Sequence, residues 1–309
     1  MSAWRIVCDV GGTYVRTARC AEAYVYTDVV VRSTKDCESL AAWLRAYARS
    51  FADFDELAGV AVAAAGPVED GEVQLTNAPL AIHEALLRDG FGGGQAVRVI
   101  NDLEAVAWSI PELIESQTAA VRTPSNALGG NLLVVNVGTG FGAAMLVKTP
   151  DGWQSVGCEP GHMKLTSCLT AARPDDGECS IEDVLSGVAL RDATTLAWFA
   201  EPGAAVTIKE DSADQFADLA QSPAGRQIIS RINALFGQVC GDLVLACGAW
   251  GGVYICGGVA AALRKQADPA DFIAAFDAKG PMSPRMARVN VYYITEPNPA
   301  LIGLCALPL

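Results

Sequence analysis

The chain has 309 residues, of which 51% are hydrophobic and 18% are charged, so it is not disordered and is long enough for two lobes. Its 22 basic and 35 acidic side chains give a net charge of −13, which argues against nucleic acid and anionic membrane as partners. The ten cysteines include no CxxC pair and no secretory signal precedes the first predicted strand, so we expect a cytoplasmic protein with reduced thiols.

The first half of the chain predicts a three-stranded meander followed by alternating helices and strands. Short apolar or alternating runs mark the strands, and Gly, Pro and Asp mark their ends. We expect strands at about 4–10, 14–20, 24–31, 57–64 and 96–100, with a hairpin near Val73–Thr76. Helices are expected at about 36–50, 80–89 and 103–110.

Asp9 stands at the end of the first predicted strand, beside the turn Gly11-Gly12-Thr13. Glycine lets such a turn expose backbone N–H groups, which can bind phosphate oxygens. A carboxylate at this place can hold Mg²⁺, often through water, next to those phosphates. A turn-capping Asp before glycine is an equally ordinary structure, so the residue alone leaves both interpretations open.

Asn101 and Asp102 follow the predicted strand at 96–100. Polar residues at the carboxyl end of a buried strand commonly face the ligand crevice of an α/β sheet. Asp102 can accept a proton from an alcohol nucleophile, and Asn101 can orient the same substrate. Asp102 also precedes the helical run Leu103–Ile110, and spacing alone favours a role as its N-cap.

The second half of the chain repeats the scheme of the first. Strands are expected at about 131–137, 141–148 and 152–156, followed later by a long amphipathic helix and a strand at Val253–Cys256. Asn136 takes the place of Asp9, and Gly138-Thr139-Gly140 forms a second glycine turn. Two such units predict two α/β lobes with a cleft between them, and the paired turns suggest that both close on one string of phosphates.

Three further segments carry candidate site residues. Glu159 and His162 lie three residues apart in a loop, where a carboxylate and an imidazole can bind adjacent hydroxyl groups; a structural loop histidine is the alternative. Gly257-Gly258 follows the strand Val253–Cys256, so backbone can pass close to a flat ligand, or simply turn tightly. Cys158, Cys168 and Cys179 flank His162, but their spacing matches no standard zinc site.

These segments, in this order, resemble the bacterial glucokinases of the hexokinase and actin-like ATPase superfamily. The resemblance covers nearly the whole chain and rests on eight motifs in register. They are Asp9-Val10-Gly11-Gly12-Thr13, Thr76-Asn77, the segment from Ile100 to Pro111, Gly138-Thr139-Gly140-Phe141-Gly142, Cys158-Glu159-Pro160-Gly161-His162, Glu182-Asp183-Val184-Leu185-Ser186-Gly187, Gly257-Gly258-Val259, and Asn298-Pro299-Ala300-Leu301-Ile302-Gly303.

The resemblance implies a role for each matched residue. Asp102 is similar to the general base that takes the proton from the sugar 6-hydroxyl. Asp9 is similar to the carboxylate near Mg²⁺. The residues implied to bind the sugar are Asn77, Asn101, Asp102, Glu159, His162 and Glu182. The residues implied to surround ATP are Asp9, Gly11, Gly12, Thr13, Gly138, Thr139, Gly140, Gly257 and Gly258.

The resemblance also implies the fold and the activity. We expect a two-lobe α/β protein of the actin-like ATPase (ribonuclease H-like) type, with a small domain at 1–109 plus 297–309 and a large domain at 110–296. The expected reaction is ATP-dependent phosphorylation of glucose at O6, by a Mg²⁺-dependent homodimer acting in glycolysis. A kinase for mannose or fructose, and a catalytically silent sugar-binding regulator, are the alternatives. ADP or polyphosphate as donor stays open, and the missing CxCG motif argues against the zinc-binding sister group.

Overall fold

The computed structural model describes residues 3–22, 24–75, 80–165, 179–201, 206 and 214–309. The chain forms two compact units. The first comprises Met1–Gln117, Ser155–Gly157 and Glu296–Leu309, and the second comprises Thr118–Gln154 and Cys158–Thr295. Each unit has a mixed β-sheet and its own hydrophobic core.

Among the described residues, the first unit begins with seven strands and three helices. The strands are β1 (Trp4–Val10), β2 (Tyr14–Glu22), β3 (Val25–Ser33), β4 (Leu57–Ala64), β5 (Glu72–Gln74), β6 (Ala81–His83) and β7 (Ala96–Asn101). The helices are α1 (Leu40–Arg49), α2 (Glu84–Gly90) and α3 (Asp102–Ser109). The main sheet has the order β3-β2-β1-β4-β7, with β1, β4 and β7 parallel and β1-β2-β3 antiparallel. The predicted meander and the later strands are therefore confirmed.

The start of the helix predicted at 80–89 is wrong. Ala81–His83 is the strand β6, and the helix α2 begins at Glu84. β6 pairs with β5 in a two-stranded sheet in which the buried side chains Val73 and Ile82 face each other. This cross-strand contact overrides the helical spacing of the apolar residues, since tertiary pairing decides the state of such short segments.

The register of the parallel strands brings three strand ends to one edge of the first sheet. Val10 pairs with Ala64, and Ala64 pairs with Asn101. Neighbouring strands lie about 4.8 Å apart. Asp9 and Asp102 therefore lie at the same edge of one sheet, which is where α/β proteins bind ligands.

The second unit contains six strands and six helices among the described residues. The strands are β8 (Thr118–Arg122), β9 (Leu132–Val137), β10 (Phe141–Thr149), β11 (Gly152–Cys158), β12 (Gly252–Cys256) and β13 (Val291–Ile294). The helices are α4 (Ala193–Ala197), α5 (Gln215–Leu219), α6 (Pro223–Cys247), α7 (Gly258–Gln266), α8 (Pro269–Asp277) and α9 (Ser283–Met286). The sheet order is β11-β10-β9-β12-β13-β8. β9 and β10 are antiparallel and β9, β12 and β13 are parallel, which repeats the pattern of the first unit.

The helix α6 forms the centre of the second core. Ser222 caps its first turn by accepting a hydrogen bond from the backbone N–H of Gly225, and Gly248 ends it in the left-handed conformation with φ 62°. Among the described residues it is the one helix long and apolar enough to cross a membrane, and 67% of its most apolar window is buried in the protein. This burial is what a core helix of a globular unit requires.

The last helix, α10 (Pro299–Ala306), belongs to the first unit and packs against α3. Gly303 makes this close approach possible, because a Cβ atom there would overlap the carbonyl oxygen of Ala105. The closing motif at Asn298–Gly303 thus supports the helix whose first residue is Asp102.

Candidate active site

The first glycine turn joins β1 to β2 and is hydrogen-bonded to Thr34, the residue that follows β3. The N–H of Gly11 donates to the carbonyl of Tyr14 at 2.9 Å, which closes the turn. The hydroxyl of the buried Thr34 donates to the carbonyl of Gly11 at 2.7 Å, and the N–H of Thr34 donates to the carbonyl of Thr13 at 2.9 Å. Thr34 therefore fixes two carbonyl groups of the turn. No local sequence signal identified this residue.

Asp9 lies on β1 directly opposite Arg16 on β2. Nη1 of Arg16 lies 3.3 Å from Oδ2 of Asp9, and the Asp9 side chain is 20% exposed. Burial raises the pKa of Asp9, while the guanidinium of Arg16 opposes that rise. The sequence predicted the carboxylate at this turn but not its cationic partner.

Asn101, rather than Asp102, is the N-cap of α3. Its Oδ1 accepts hydrogen bonds from the N–H groups of Leu103 and Glu104 at 2.9 and 3.3 Å, and its Nδ2 donates to the carbonyl of Gly66 at 3.0 Å. Spacing alone could not separate the two neighbours, because both residue types cap helices well. The Asn101 side chain is also hydrogen-bonded to the carboxyl group of Asp102, so the amide helps to hold that carboxyl in place.

Asp102 is the first residue of α3, and its carboxyl is largely removed from water. Its Oδ1 accepts a hydrogen bond from the N–H of Leu103 at 2.9 Å. Burial and then the negative charge of Asp9 raise the pKa of Asp102 from 3.8 to about 6. The group is therefore a carboxylate at neutral pH, yet a stronger base than an exposed aspartate.

The second glycine turn joins β9 to β10 in the second unit. The N–H of Gly138 donates to the carbonyl of Gly140 at 3.0 Å, and the N–H of Gly187 donates to the carbonyl of Gly138 at 2.7 Å. A Cβ atom at Gly187 would lie 2.7 Å from the same carbonyl oxygen, so only glycine fits. This contact explains why the motif from Glu182 ends in glycine.

Gly257 and Gly258 lie beside the second glycine turn because β12 is parallel to β9. Cys256 pairs with Asn136, and a Cβ atom at Gly257 would overlap the carbonyl oxygen of Val137. Gly257 has φ 101°, a conformation that favours glycine, and α7 begins at Gly258. A helix N-terminus with exposed N–H groups is suited to an anion.

A cavity of about 510 Å³ in the second unit adjoins these glycines. Three of the residues predicted to surround ATP line it: Gly138, Thr139 and Gly258. Two more lining residues, Gly187 and Val259, belong to motifs of the resemblance. The sequence did not identify the rest of the lining, which is Val188, Leu190, Arg191, Asp214, Gln215, Phe216 and Ala262. These last residues come from segments far apart in the chain and lie in none of the quoted motifs.

The segment at 158–162, which the resemblance implies binds the sugar and which we call the sugar loop, meets Glu182 around Gly161. Pro160–His162 forms one turn of 3₁₀ helix, and a Cβ atom at Gly161 would overlap the carbonyl oxygen of Phe141. The N–H of Glu182 donates to the carbonyl of Gly161 at 2.9 Å, and Oε2 of Glu182 accepts from the N–H of Phe141 at 2.7 Å. Glu182 therefore connects the sugar loop to the second glycine turn and keeps Oε1 for a ligand.

Glu159 and His162, at either end of that turn, are both exposed. The N–H of His162 donates to the carbonyl of Glu159 at 3.3 Å. Asn77 and Cys168 lie outside the described residues. Within those residues, no group of three or more His, Cys, Asp and Glu side chains is arranged to hold a metal ion.

Comparisons with known proteins agree on one family. The family model described as Glucokinase matches residues 6–308. A glucokinase of Paramagnetospirillum magneticum is 29% identical over 99% of this chain and 98% of its own length. A glucokinase of Aromatoleum aromaticum is 32% identical over 97% of this chain and 92% of its own length.

Solved structures support the same assignment. A glucokinase from an Antarctic psychrotroph matches with a TM-score of 0.86 at 28% identity, covering 99% of this chain and 98% of the other. A ROK hexokinase from Thermus thermophilus has a TM-score of 0.65 at 18% identity, covering 98% and 97%, and shares the fold. The predicted actin-like ATPase fold and the predicted resemblance are both confirmed, and the chain belongs to the glucokinase family.

Proposed function

We propose that this protein transfers the γ-phosphoryl group of ATP to O6 of glucose, with Asp102 as the general base. The observation that carries the proposal is the position of Asp102, which shares one sheet edge with Asp9 and the first glycine turn. Its pKa of about 6 suits a base that must be ionised at neutral pH and still accept a proton from an alcohol. General-base catalysis contributes on the order of 10²–10⁴ in rate.

The glycine turns and the cavity of the second unit support ATP as the donor. Gly138 and Thr139 contribute backbone groups and a hydroxyl to the cavity wall. The helix α7 begins at Gly258, which also lines the cavity. Phosphoryl transfer depends mostly on positioning and on stabilisation of charge, which N–H groups and a helix N-terminus both provide. The turn that Thr34 holds in the first unit offers a second set of such groups.

Asp9 is the residue that we propose for Mg²⁺, because this ion keeps several waters and binds one or two carboxylates together with substrate phosphates. The half-buried carboxylate of Asp9, balanced by Arg16, fits such a site. When bound, the ion would neutralise charge that develops on the phosphate oxygens.

The sugar is proposed to bind the polar groups that the fold leaves available. In the second unit these are the exposed side chains Glu159 and His162 and the Oε1 atom of Glu182. In the first unit the candidate is Asp102, and Asn101, which is hydrogen-bonded to it, stays a prediction for sugar binding. Asn77 stays a prediction for the same role. Adjacent sugar hydroxyls suit this mixture of acceptors and donors.

We also propose that the protein is a homodimer, supported by the edge strand β3. Val25, Val29, Val30 and Val31 on this strand are 50%, 43%, 39% and 52% exposed. An edge strand with several exposed apolar side chains is suited to pairing with a second copy. Light scattering should give twice the mass of one chain for the wild type and one chain mass for Val31→Asp. The exposed Leu86, on α2, provides the control Leu86→Asp, which should stay dimeric; a monomeric wild type would refute the proposal.

We also propose that the protein is a cytoplasmic enzyme that acts where glucose enters glycolysis. The nine described cysteines are thiols rather than disulfides, which supports a reducing compartment. The small domain is proposed at 1–109 plus 297–309, and the large domain at 110–296.

A coupled assay of the purified protein tests the function. Glucose, mannose and fructose are compared as acceptors, with ATP, ADP and polyphosphate as donors. The proposal expects glucose with ATP to give the highest kcat/KM. A higher kcat/KM for mannose or fructose would identify a different hexose kinase, and glucose binding without turnover would identify a sugar-binding regulator.

A further inference from the structure

Two cysteines of the second unit lie in contact beside the proposed sugar loop. Cys158 is the last residue of β11 and Cys247 is the last residue of α6. Their thiols are hydrogen-bonded to each other, and both residues are half-buried. The two side chains are thus close in space although 89 positions separate them in the chain, and neither residue is fully buried.

The hydrogen bond with Cys158 makes the Cys247 thiol more acidic than an ordinary cysteine. It lowers the pKa of Cys247 from 9.0 to about 7, against the opposing effect of burial. A large fraction of Cys247 is therefore thiolate at neutral pH, and the thiolate is the reactive form. Burial has the opposite effect on Cys8 and Cys240, whose pKa values it raises.

We propose that Cys158 and Cys247 form a peroxide-sensitive dithiol that closes to a disulfide. The sulfur of the Cys247 thiolate attacks one peroxide oxygen, the O–O bond breaks, and hydroxide leaves, so that a sulfenic acid forms. The sulfur of Cys158 then attacks that of Cys247 and displaces its oxygen as water, with the thiol proton of Cys158. In sum two thiols and one peroxide give one disulfide and two waters.

The position of the pair gives the disulfide a consequence. Cys158 immediately precedes Glu159, so a bond from Cys158 to the end of α6 would fix the start of the sugar loop. We expect oxidation to raise the KM for glucose severalfold, with a smaller effect on the KM for ATP. This consequence rests on the proposed function, whereas formation of the disulfide does not.

The full-length protein treated with hydrogen peroxide tests the proposal. After free thiols are blocked by alkylation, peptide mass spectrometry should find Cys158 and Cys247 joined, and a dithiol reductant should separate them and restore activity. Cys158→Ser and Cys247→Ser should each keep the wild-type KM after the same treatment. Thermal unfolding of both variants shows whether they are folded.

The chain offers a matched control in a second thiol pair. Cys20 and Cys305 in the first unit are also hydrogen-bonded, but each is only 5% exposed. They should remain thiols at the peroxide dose that oxidises the half-buried pair. Oxidation of both pairs at equal rates, or no Cys158–Cys247 disulfide, would overturn the proposal. If the disulfide forms without any change in the KM for glucose, the peroxide-sensitive dithiol is supported and the proposed role of Glu159 in sugar binding is not.

Discussion

Replacing Asp102 with Asn should abolish most activity and at the same time stabilise the protein. The amide cannot accept the proton of the sugar hydroxyl, so we expect kcat to fall on the order of 10²–10⁴-fold. The fold should survive, because Asn101 rather than Asp102 caps α3. The Oδ1 of an Asn at this position can still accept the hydrogen bond that Leu103 donates to Asp102.

The expected gain in stability follows from the pKa of Asp102. Its rise from 3.8 to about 6 means that ionised Asp102 disfavours folding at neutral pH. A difference of this size corresponds to about 3 kcal/mol in the free energy of unfolding. The Asp102→Asn variant carries no charge here, so it should gain stability up to that amount at pH 7.5.

The sign of the pH dependence distinguishes this explanation from an ordinary packing effect. Because folding raises the pKa of Asp102, the stability that its protonated form contributes is complete below pH 3.8 and is lost as pH rises through about 6. The gain of Asp102→Asn should therefore disappear near pH 4. In the wild type, kcat/KM should fall about tenfold per pH unit below pH 6, as the base becomes protonated.

Urea unfolding at pH 7.5 and pH 4, combined with the coupled assay, measures both effects. The exposed Asp89 provides the control Asp89→Asn, which makes the same chemical change and should alter neither stability nor activity. Wild-type kcat in Asp102→Asn would remove the residue from the base role. A variant less stable than the wild type at pH 7.5 would refute the argument from burial.

Two further substitutions test the loops. Gly161→Ala places a methyl group against the carbonyl oxygen of Phe141, so it should raise the KM for glucose and lower the melting temperature. The control Gly129→Ala has open space around its Cβ position and should leave both quantities unchanged. Equal effects of the two substitutions would contradict the steric argument. Thr34→Val leaves the carbonyl of Gly11 without its hydroxyl donor, which should lower the free energy of unfolding by about 1–3 kcal/mol and raise the KM for ATP. Thr34→Ser keeps the hydroxyl and should retain the wild-type stability and KM. A Thr34→Ser variant as impaired as Thr34→Val would show that the hydroxyl is not responsible.

Local patterns predicted the strands and the positions of the turns because those features depend on neighbouring residues. The strand at 57–64 has the bounds that its apolar run and the following Gly66-Pro67 indicated. The two glycine turns were recognisable because each follows an apolar strand directly. Hydrophobic runs and turn residues act over a few positions, so a single sequence reveals them.

The contacts that shape the site were not predictable, because they join distant segments. Thr34 binds a carbonyl group 23 positions earlier, and Glu182 binds the N–H of Phe141 41 positions earlier. A threonine or glutamate with such a role looks like any other in the sequence. The fold alone decides which of them meets a turn, and only the resemblance singled out Glu182.

The two glycine turns share their backbone design but differ in charge, and their partners explain why. Asp9 lies opposite Arg16 on the neighbouring strand, and the guanidinium offsets part of the cost of burying that carboxylate. The equivalent Asn136 lies opposite Gly142, which has no side chain to offer. A half-buried carboxylate at 136 would therefore lack a cation across the strand pair, and a neutral amide avoids that cost. The duplicated turns thus differ in what they offer: the first presents a carboxylate, and the second presents backbone groups and neutral side chains.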